Sequence, residues 1–348
     1  MKRWIGGAGV LFLLLLGGCG PGGTSNGTED GGRLLINGAG ATFPYPIYSK
    51  WFNEYHKLHP TIAINYQSIG SGGGIRQLLS GTVDFGASDM PVTTQLLAQA
   101  STKILHFPTV LGADVPTYNL PGISQGLHFA PEALAGVFLG TIKKWNDPQL
   151  ARLNPGLNLP AHEIVIVHRS DGSGTTFVWT DYLSKVSPEW KSQVGASTSV
   201  NWPTGLGAKG NEGVSGLVQQ TPYSLGYVEL IYALQNKLGY GIVRNAAGKF
   251  VKPDLNSVTA AAAGVAASMP GDFRVSITNA PGANAYPISS FTWMLIPASI
   301  SNPAKRDAIK NFLNWMLTDG QMMVQSLDYA PLPDQVKSKE LAQISEIR

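Results

Sequence analysis

The sequence is poor in cysteine, in charge and in long apolar runs. It holds one cysteine, Cys19, among 348 residues, so no disulfide can form within the chain and packing must hold the fold together. Charged residues make up 14%, against about 25% in an average globular domain, and the formal net charge of +3 is not concentrated in a Lys/Arg block. Because nucleic-acid binding depends on neutralising many phosphates, this composition argues against a nucleic-acid partner.

The longest apolar run lies near the N-terminus and is shorter than a membrane span. Lys2 and Arg3 precede an apolar run from residue 4 to residue 16, and Cys19 follows two glycines. A permanent transmembrane helix needs about 20 apolar residues, so this layout predicts an export signal that is cleaved.

Residues 16–19 resemble the bacterial lipobox, in which small residues precede a cysteine that becomes both the new N-terminus and the lipid attachment point. We therefore expect residues 1–18 to be a lipoprotein signal peptide and Cys19 to carry the lipid; an incidental thiol in a linker is the alternative. Residues 19–32 are rich in Gly, Ser, Thr and Asn and predict a flexible tether. The mature protein would then be exported to the periplasm or cell surface and anchored to the membrane.

The rest of the chain has the pattern of an α/β protein. Hydrophobic residues make up 43%, and the length suggests about two domains. Short β-branched runs at 62–66, 164–168 and 291–296 alternate with helical patterns, of which 303–318 and 257–268 are the clearest. This alternation predicts layers of helices packed on a sheet.

Glycine, in contrast, is abundant, with 41 residues or about 12% of the chain where about 7% is usual. Three glycine-rich segments, 37–44, 69–74 and 169–176, stand where a predicted strand gives way to a predicted helix. The N-terminus of a helix leaves about four backbone N–H groups without partners and carries roughly half a positive charge. Such a turn can bind an anion without lysines.

Side chains in the same segments add hydrogen-bond donors. Thr42, Ser71, Ser173 and Thr175 carry hydroxyls, and Arg169 presents a planar fork of N–H groups that matches two oxygens of a tetrahedral anion. A single glycine-rich turn is more often only a turn, and a single arginine is more often a surface charge. Three such turns in one chain of low charge predict an oxyanion site.

Asp89 is out of place beside an anion, which makes it informative. A carboxylate repels a fully deprotonated oxyanion but accepts a hydrogen bond from one that keeps a proton, as phosphate does near neutral pH and sulfate does not. An unpaired acceptor facing sulfate would cost about 1–3 kcal/mol. From the residues alone, Asp89 could equally be a turn residue before Pro91, and the same alternative applies to Asp84. Asp171 could orient Arg169 or cap the following helix.

Several of these segments resemble the periplasmic phosphate-binding proteins of high-affinity phosphate ABC transporters, the PstS family. The similar stretches occur in the correct order from about residue 35 to the C-terminus, which makes the resemblance specific. They are 38–44 (GAGATFP), 70–74 (GSGGG), 83–89 (VDFGASD), 140–148 (GTIKKWNDP), 169–175 (RSDGSGT), 282–288 (GANAYPI) and 327–333 (LDYAPLP).

The resemblance implies a two-lobed, class II periplasmic-binding-protein fold, with the ligand in the cleft between two α/β lobes. Two crossovers form the hinge, which we place near residues 108–112 and 280–286. Lobe one is then 33–108 plus 285–348, and lobe two is 109–284. The protein would be a monomer without a cofactor that delivers inorganic phosphate to permease subunits and their cytoplasmic ATPase.

The resemblance also implies the ligand set, position by position. All eight direct phosphate ligands are present, and Asp171 matches the family aspartate that pairs with the arginine. Many members have a second serine where this chain has Gly72, which is not a direct ligand. The eight are Thr42, Phe43 through its backbone N–H, Ser71, Asp89, Arg169, Ser173, Gly174 through its backbone N–H, and Thr175.

Two other functions remain as alternatives. Residues 122–126 match the G-x-S-x-G nucleophile pattern around Ser124, but Pro121 and Pro131 do not suit the strand, sharp turn and long helix that this pattern needs. A phosphatase on the same fold would need a nucleophile or metal beside the anion, and the histidines show no metal-ligand spacing. Among other oxyanions, Asp89 argues against sulfate and molybdate, whereas arsenate keeps a proton as phosphate does.

Overall fold

A computed structural model describes residues 32–123, 126–266 and 268–348. The predicted signal peptide (1–18), Cys19 and the predicted tether up to residue 31 lie outside the described residues, as does Ser124 of the G-x-S-x-G match. The chain divides into a short unit, Met1–Gly32, and a larger compact unit, Arg33–Arg348, which holds all the elements given below.

Strands and helices alternate along the larger unit. The strands are β1 (Leu34–Gly40), β2 (Ile62–Ser68), β3 (Phe85–Ser88), β4 (Ile104–Asn119), β5 (His128–Phe129), β6 (Val165–Arg169), β7 (Leu206–Ala208), β8 (Ser224–Glu229), β9 (Gly239–Tyr240), β10 (Ile242–Arg244), β11 (Phe250–Val251) and β12 (Ser289–Pro297). The helices are α1 (Tyr45–Leu58), α2 (Ser71–Leu79), α3 (Thr94–Leu97), α4 (Pro131–Phe138), α5 (Pro148–Leu153), α6 (Gly174–Val186), α7 (Pro188–Gln193), α8 (Gly210–Gln220), α9 (Leu230–Gln235), α10 (Leu255–Ala266), α11 (Pro303–Leu317) and α12 (Asp334–Gln343), with two 3₁₀ segments, Asp319–Leu327 and Ile344–Glu346.

The predicted α/β class is confirmed, and the clearest predicted elements are present. The strands expected at 62–66, 164–168 and 291–296 are β2, β6 and β12. Helix α11 begins at Pro303 because the side chain of Asn302 accepts a hydrogen bond from the backbone N–H of Lys305, as an N-cap does.

Helix α10 begins two residues before the predicted start at Ser257. The carboxylate of Asp254 accepts a hydrogen bond from the backbone N–H of Ser257 at 2.8 Å, so the cap lies upstream of the alanine run. The alanine-rich composition predicted the body of this helix, whereas the capping contact of Asp254 determines where the helix starts.

One long strand joins the two halves of the main sheet. The strand order is β2-β1-β3-β12-β4-β8-β6-β7, and β9 also pairs with β4. From Ile104 to Ala113, β4 pairs antiparallel with β12, and from Asp114 to Asn119 it pairs antiparallel with β8. The chain thus passes from one half of the sheet to the other within β4. The lobe bounds 33–108 plus 285–348 and 109–284 stay a prediction.

Both halves bury an apolar core. In the first, α1 packs Tyr48, Trp51 and Phe52 against the sheet and α11, and the indole N–H of Trp51 donates to the carbonyl oxygen of Gly320 at 2.8 Å. In the second, Trp179 stacks on Tyr227 with ring centroids 5.0 Å apart. In the part of the chain that the structure describes, no helix combines the length and apolar character needed to cross a membrane.

Candidate functional site

The three predicted glycine-rich turns each connect a strand to a helix, as expected. They join β1 to α1, β2 to α2, and β6 to α6. Parallel strands β2, β1 and β3 end at one sheet edge, and β6 ends at the equivalent edge of the other half. Because helices that follow such strands begin at this edge, three helix N-termini face one region, where ligands of open α/β sheets bind.

The turn between β1 and α1 presents Thr42 and Phe43, both buried. A Cβ atom at Gly40, whose φ is +151°, would lie 2.7 Å from the backbone nitrogen of Ala87, so only glycine lets this turn approach β3. The hydroxyls of Tyr232 and Tyr329 each donate at 2.6 Å, to the carbonyl oxygens of Thr42 and Phe43 respectively. These contacts fix the backbone of the turn at Thr42 and Phe43.

The turn between β2 and α2 presents the hydroxyl of Ser71, the first residue of the helix. Its oxygen accepts a hydrogen bond from the backbone N–H of Asp89 at 3.2 Å. The hydroxyl proton of Ser71 is therefore free for another acceptor. This contact also places Ser71 beside Asp89.

The turn between β6 and α6 contributes Arg169, Ser173, Gly174 and Thr175, all buried. Ser173 is the N-cap of α6, and its side chain accepts from the backbone N–H of Thr176 at 3.0 Å. The first backbone N–H groups of α6 and the positive end of its dipole thus lie among the predicted ligands.

Arg169 forms a two-bond ion pair with Asp171. Its Nε donates to Asp171 Oδ1 at 2.8 Å and its Nη2 donates to Oδ2 at 2.6 Å, while Nη1 donates to Thr175 Oγ1 at 3.3 Å. Burial alone would lower the pKa of Arg169, but the bonds and charge of Asp171 raise it above its ordinary value. The guanidinium is thus held charged, and its two hydrogen bonds to Asp171 fix its orientation.

Asp89 lies at the centre of the site. It is 1% exposed, its Oδ1 accepts from the hydroxyl of Thr292 at 2.7 Å, and its Oδ2 has no hydrogen-bond partner among the described residues. Burial raises the pKa of Asp89 to about 7, although the bond from Thr292 and the charge of Arg169 oppose this. An acceptor oxygen thus stands among donor groups, next to one fixed positive charge.

The two halves of the site are in contact. The backbone N–H of Gly72 donates to the carbonyl oxygen of Gly172 at 2.9 Å, which joins the α2 turn to the α6 turn. A Cβ atom at Gly174 would lie 2.5 Å from Asp89 Oδ2 and closer still to Ser71 Oγ. The first residue of α6 therefore lies directly against Asp89 and Ser71, and the cleft is closed in this structure.

The structure brings all eight predicted ligands and Asp171 into one buried region. Thr42 and Thr175 meet through Asn211, Arg169 contacts Thr175, and Gly174 adjoins Ser71 and Asp89. Asp84 lies elsewhere, where its carboxylate accepts from Lys305 at 2.9 Å. In the described ranges, no group of three or more His, Cys, Asp or Glu side chains is arranged to hold a metal ion.

Asn211, Thr292 and Tyr232 contact predicted ligands, and sequence reasoning missed all three. Asn211 could have been found, because Gly205, Gly207 and Gly210 form a fourth glycine-rich segment, which spans the short strand β7 and the start of the helix α8. Thr292 and Tyr232 carry no local signal, since each is an ordinary residue within a strand or a short helix.

Two further buried carboxyl groups lie where β4 changes partners. Asp114 and Glu229 are directly opposite each other in the β4–β8 register, and both are fully buried. Neither oxygen of Asp114 has a hydrogen-bond partner among the described residues. Burial raises the pKa of Asp114 well above its ordinary value, and the charges of Asp89 and Glu229 raise it further. Burial likewise raises the pKa of Glu229.

We expect Asp114→Asn to stabilise the protein at alkaline pH. A carboxyl whose pKa is raised by folding stabilises the fold below its unfolded pKa and loses this contribution as pH rises toward the folded value. The neutral amide should add about 1 kcal/mol or more at pH 8, or roughly 2 °C in melting temperature, and little at about pH 4, close to the unfolded pKa of an aspartate. Thermal unfolding of the phosphate-free protein at both pH values measures this, with the exposed Asp307→Asn as the control. Equal shifts at both pH values would contradict the prediction.

Comparisons with known proteins agree on one family. Residues 22–320 match the model of the PBP superfamily domain. The phosphate-binding protein PstS of Pasteurella multocida is 49% identical over 309 residues, covering 88% of this chain and 89% of the relative. The protein of the same name from Methanocaldococcus jannaschii is 38% identical, covering 97% and 93%.

Solved structures show the same fold. A phosphate-binding protein from Stenotrophomonas maltophilia has a TM-score of 0.69 at 18% identity, covering 89% of this chain and 94% of that one. A human phosphate-binding apolipoprotein has a TM-score of 0.70 at 19% identity, covering 88% and 93%. These likenesses place the chain among two-lobed periplasmic-binding-protein folds.

Proposed function

The chain belongs to the PstS family of phosphate-binding proteins, and on this basis we propose that it captures inorganic phosphate outside the cytoplasm and delivers it to an ABC importer by hinge closure around the anion. Its partners are phosphate and the permease subunits with their cytoplasmic ATPase. It is the substrate-binding component of a transport system rather than an enzyme.

The phosphate lies between donors from both lobes in this proposal. Each half of the site supplies hydroxyls and one backbone N–H, and Arg169 supplies the charge. Closure then removes water, which strengthens every charge-assisted hydrogen bond inside. Lobe one (33–108 plus 285–348) would contribute Thr42, Phe43, Ser71 and Asp89, and lobe two (109–284) would contribute Arg169, Ser173, Gly174 and Thr175.

The observation that carries the proposal is the position of Asp89 Oδ2. This oxygen is buried, has no partner among the described residues, and lies against the first residue of α6. The site around it otherwise offers donors. A ligand that suits this arrangement must accept many hydrogen bonds and donate one, and partly protonated phosphate does so.

The same contacts couple phosphate binding to closure of the two lobes. Because donors from both halves bind one anion, the ligand stabilises the closed state over the open one by its differential affinity for the two states. The hydrogen bond between Gly72 and Gly172 forms only when the two turns meet. A permease can therefore distinguish the loaded protein from the empty one.

Calorimetric titration of residues 33–348, stripped of bound phosphate, tests the function. We expect one phosphate to bind per chain with micromolar or tighter affinity and sulfate to give no heat. Sulfate has no proton for Asp89 to accept, which leaves an unpaired acceptor at a cost of about 1–3 kcal/mol, and the Asp89 carboxylate also repels the sulfate dianion. Asp89→Asn should reduce the difference between the affinities for phosphate and for sulfate. No phosphate binding by folded, ligand-free protein would overturn the proposal.

Export and anchoring extend the proposal. A signal peptide at 1–18, a lipid on Cys19 and a tether at 19–32 would hold the binding unit at the membrane as a monomer, and residues 33–348 form a compact unit that such a tether can carry. Partition of the full chain into detergent, lost in Cys19→Ser, is the expected result. Equal partition of both proteins would overturn the anchor.

A further inference from the structure

Asn211 connects the two threonines of the site and is fully buried at the start of α8. Its Nδ2 donates to Thr42 Oγ1 at 2.8 Å and to Thr175 Oγ1 at 3.2 Å. Its backbone N–H also donates to Thr42 Oγ1, at 3.2 Å. One side chain thus contacts a predicted ligand from each half of the site.

The orientation of the Asn211 amide is determined by its other contact. Its Oδ1 accepts from the backbone N–H of Glu229 at 3.1 Å. If the amide were flipped, its NH₂ group would face the backbone N–H of Glu229, and neither of these two donors would have an acceptor. The contacts therefore fix which amide atom is Oδ1 and which is Nδ2. The NH₂ group therefore faces the two threonines, with one hydrogen for each.

These contacts use the acceptor capacity of both hydroxyls. A threonine hydroxyl has two acceptor lone pairs and one donor proton. Thr42 Oγ1 accepts twice from Asn211, and Thr175 Oγ1 accepts from Asn211 and from Arg169 Nη1. With both lone pairs occupied, the remaining capacity of each hydroxyl is its proton.

We propose that Asn211 is a positioning residue that commits the hydroxyls of Thr42 and Thr175 to donate to the bound anion. The inference rests on the proposed function, since it assigns a role within the phosphate site. Without the Asn211 side chain, each hydroxyl regains one free lone pair, so it can rotate between orientations that donate to the anion and orientations that do not, and binding must fix its direction at an entropic cost. Asn211 orients both donors before the anion arrives, which is how preorganised sites gain affinity.

A double-mutant cycle tests the role of Asn211, because it separates an effect through the threonines from a general structural effect. Asn211→Ala should weaken phosphate binding about tenfold in the parent protein, since one to two neutral hydrogen bonds no longer orient the donors. In the Thr42→Val/Thr175→Val background, the same change should weaken binding less than about twofold. Calorimetry extended to millimolar phosphate measures all four proteins.

The matched control is Asn119→Ala, because the Asn119 amide donates to a backbone carbonyl, that of Gln219, rather than to a threonine hydroxyl of the site. It should leave phosphate affinity unchanged. If Asn211→Ala fails to fold, as judged by thermal unfolding without ligand, Asn211→Ser takes its place in the cycle.

Each outcome is distinct. If the parent protein binds no phosphate, the proposed function fails and the inference with it. If the parent binds phosphate and Asn211→Ala changes its affinity less than twofold, the inference fails and the function stands. If Asn211→Ala weakens binding by the same factor in both backgrounds, Asn211 acts through the fold rather than through the hydroxyls, and the inference again fails.

Discussion

Gly174→Ala should weaken phosphate binding about a hundredfold while leaving the phosphate-free protein folded. The added methyl group would lie 2.5 Å from Asp89 Oδ2, 2.7 Å from Asp89 Cβ and closer still to Ser71 Oγ. Real Cβ atoms do not approach other atoms so closely, and both neighbours are fixed by hydrogen bonds to Thr292 and to backbone. The closed cleft therefore cannot accommodate an alanine at the start of α6.

The magnitude follows from two losses. Overpacking in a closed, well-packed site costs about 1–3 kcal/mol. Keeping the turns apart also weakens the charge-assisted hydrogen bonds that need both halves, which are worth about 1.5–3 kcal/mol each. A total of about 3 kcal/mol corresponds to roughly a hundredfold in affinity. The open protein is spared, because alanine is favourable in a helix.

The matched control is Gly216→Ala in α8, where an added Cβ would meet no atom within 4 Å. Both variants add one methyl group to a helix of the same half, so both should fold at least as stably as the parent. Only Gly174→Ala should lose affinity by calorimetry, and small-angle scattering should show that excess phosphate no longer compacts it. If the phosphate affinity of Gly174→Ala were within threefold of that of the parent, the cleft would be able to close around the added methyl group, and the prediction would be wrong.

The sequence predicts those parts of the site that are encoded locally. A strand, a glycine-rich turn and a helix N-terminus are adjacent in the chain, so residues 37–44, 69–74 and 169–176 could be identified from composition and position. The proposed anion-binding groups are mostly backbone N–H groups and hydroxyls of those same turns. Their chemistry follows from helix geometry, whatever the tertiary structure.

Contacts between distant residues could not be predicted in this way. Thr292 donates to Asp89 across 203 positions and Asn211 to Thr42 across 169 positions, so no periodicity or motif connects them. The register that sets Asp114 opposite Glu229 depends on where β4 leaves β12 for β8. That crossing depends on how the two halves of the sheet pair, and short β-branched runs do not encode it.

Arg169→Met should weaken phosphate binding at least a hundredfold, because Arg169 carries the one positive charge among the proposed ligands. Its contacts to Asp171 and Thr175 use three of its five N–H groups, which leaves one on each terminal nitrogen. Two parallel N–H groups match two oxygens of a tetrahedral anion, and such charge-assisted bonds are worth about 1.5–3 kcal/mol each. Their joint loss is about 3 kcal/mol or more.

Arg169→Lys tests the positive charge separately from the paired N–H groups of the guanidinium. Lysine keeps the positive charge but cannot bond Asp171 twice and still present two donors to the anion, so its affinity should lie between those of Arg169→Met and the parent. The exposed Arg152→Met, also in the predicted second lobe, removes the same charge away from the site and should bind phosphate as the parent does. Calorimetry ranks the four proteins, and thermal unfolding without phosphate confirms that each is folded. If Arg169→Lys binds as tightly as the parent, charge alone suffices; if Arg169→Met does so, the anion is held by dipoles and hydroxyls, and Arg169 serves only to pair with Asp171.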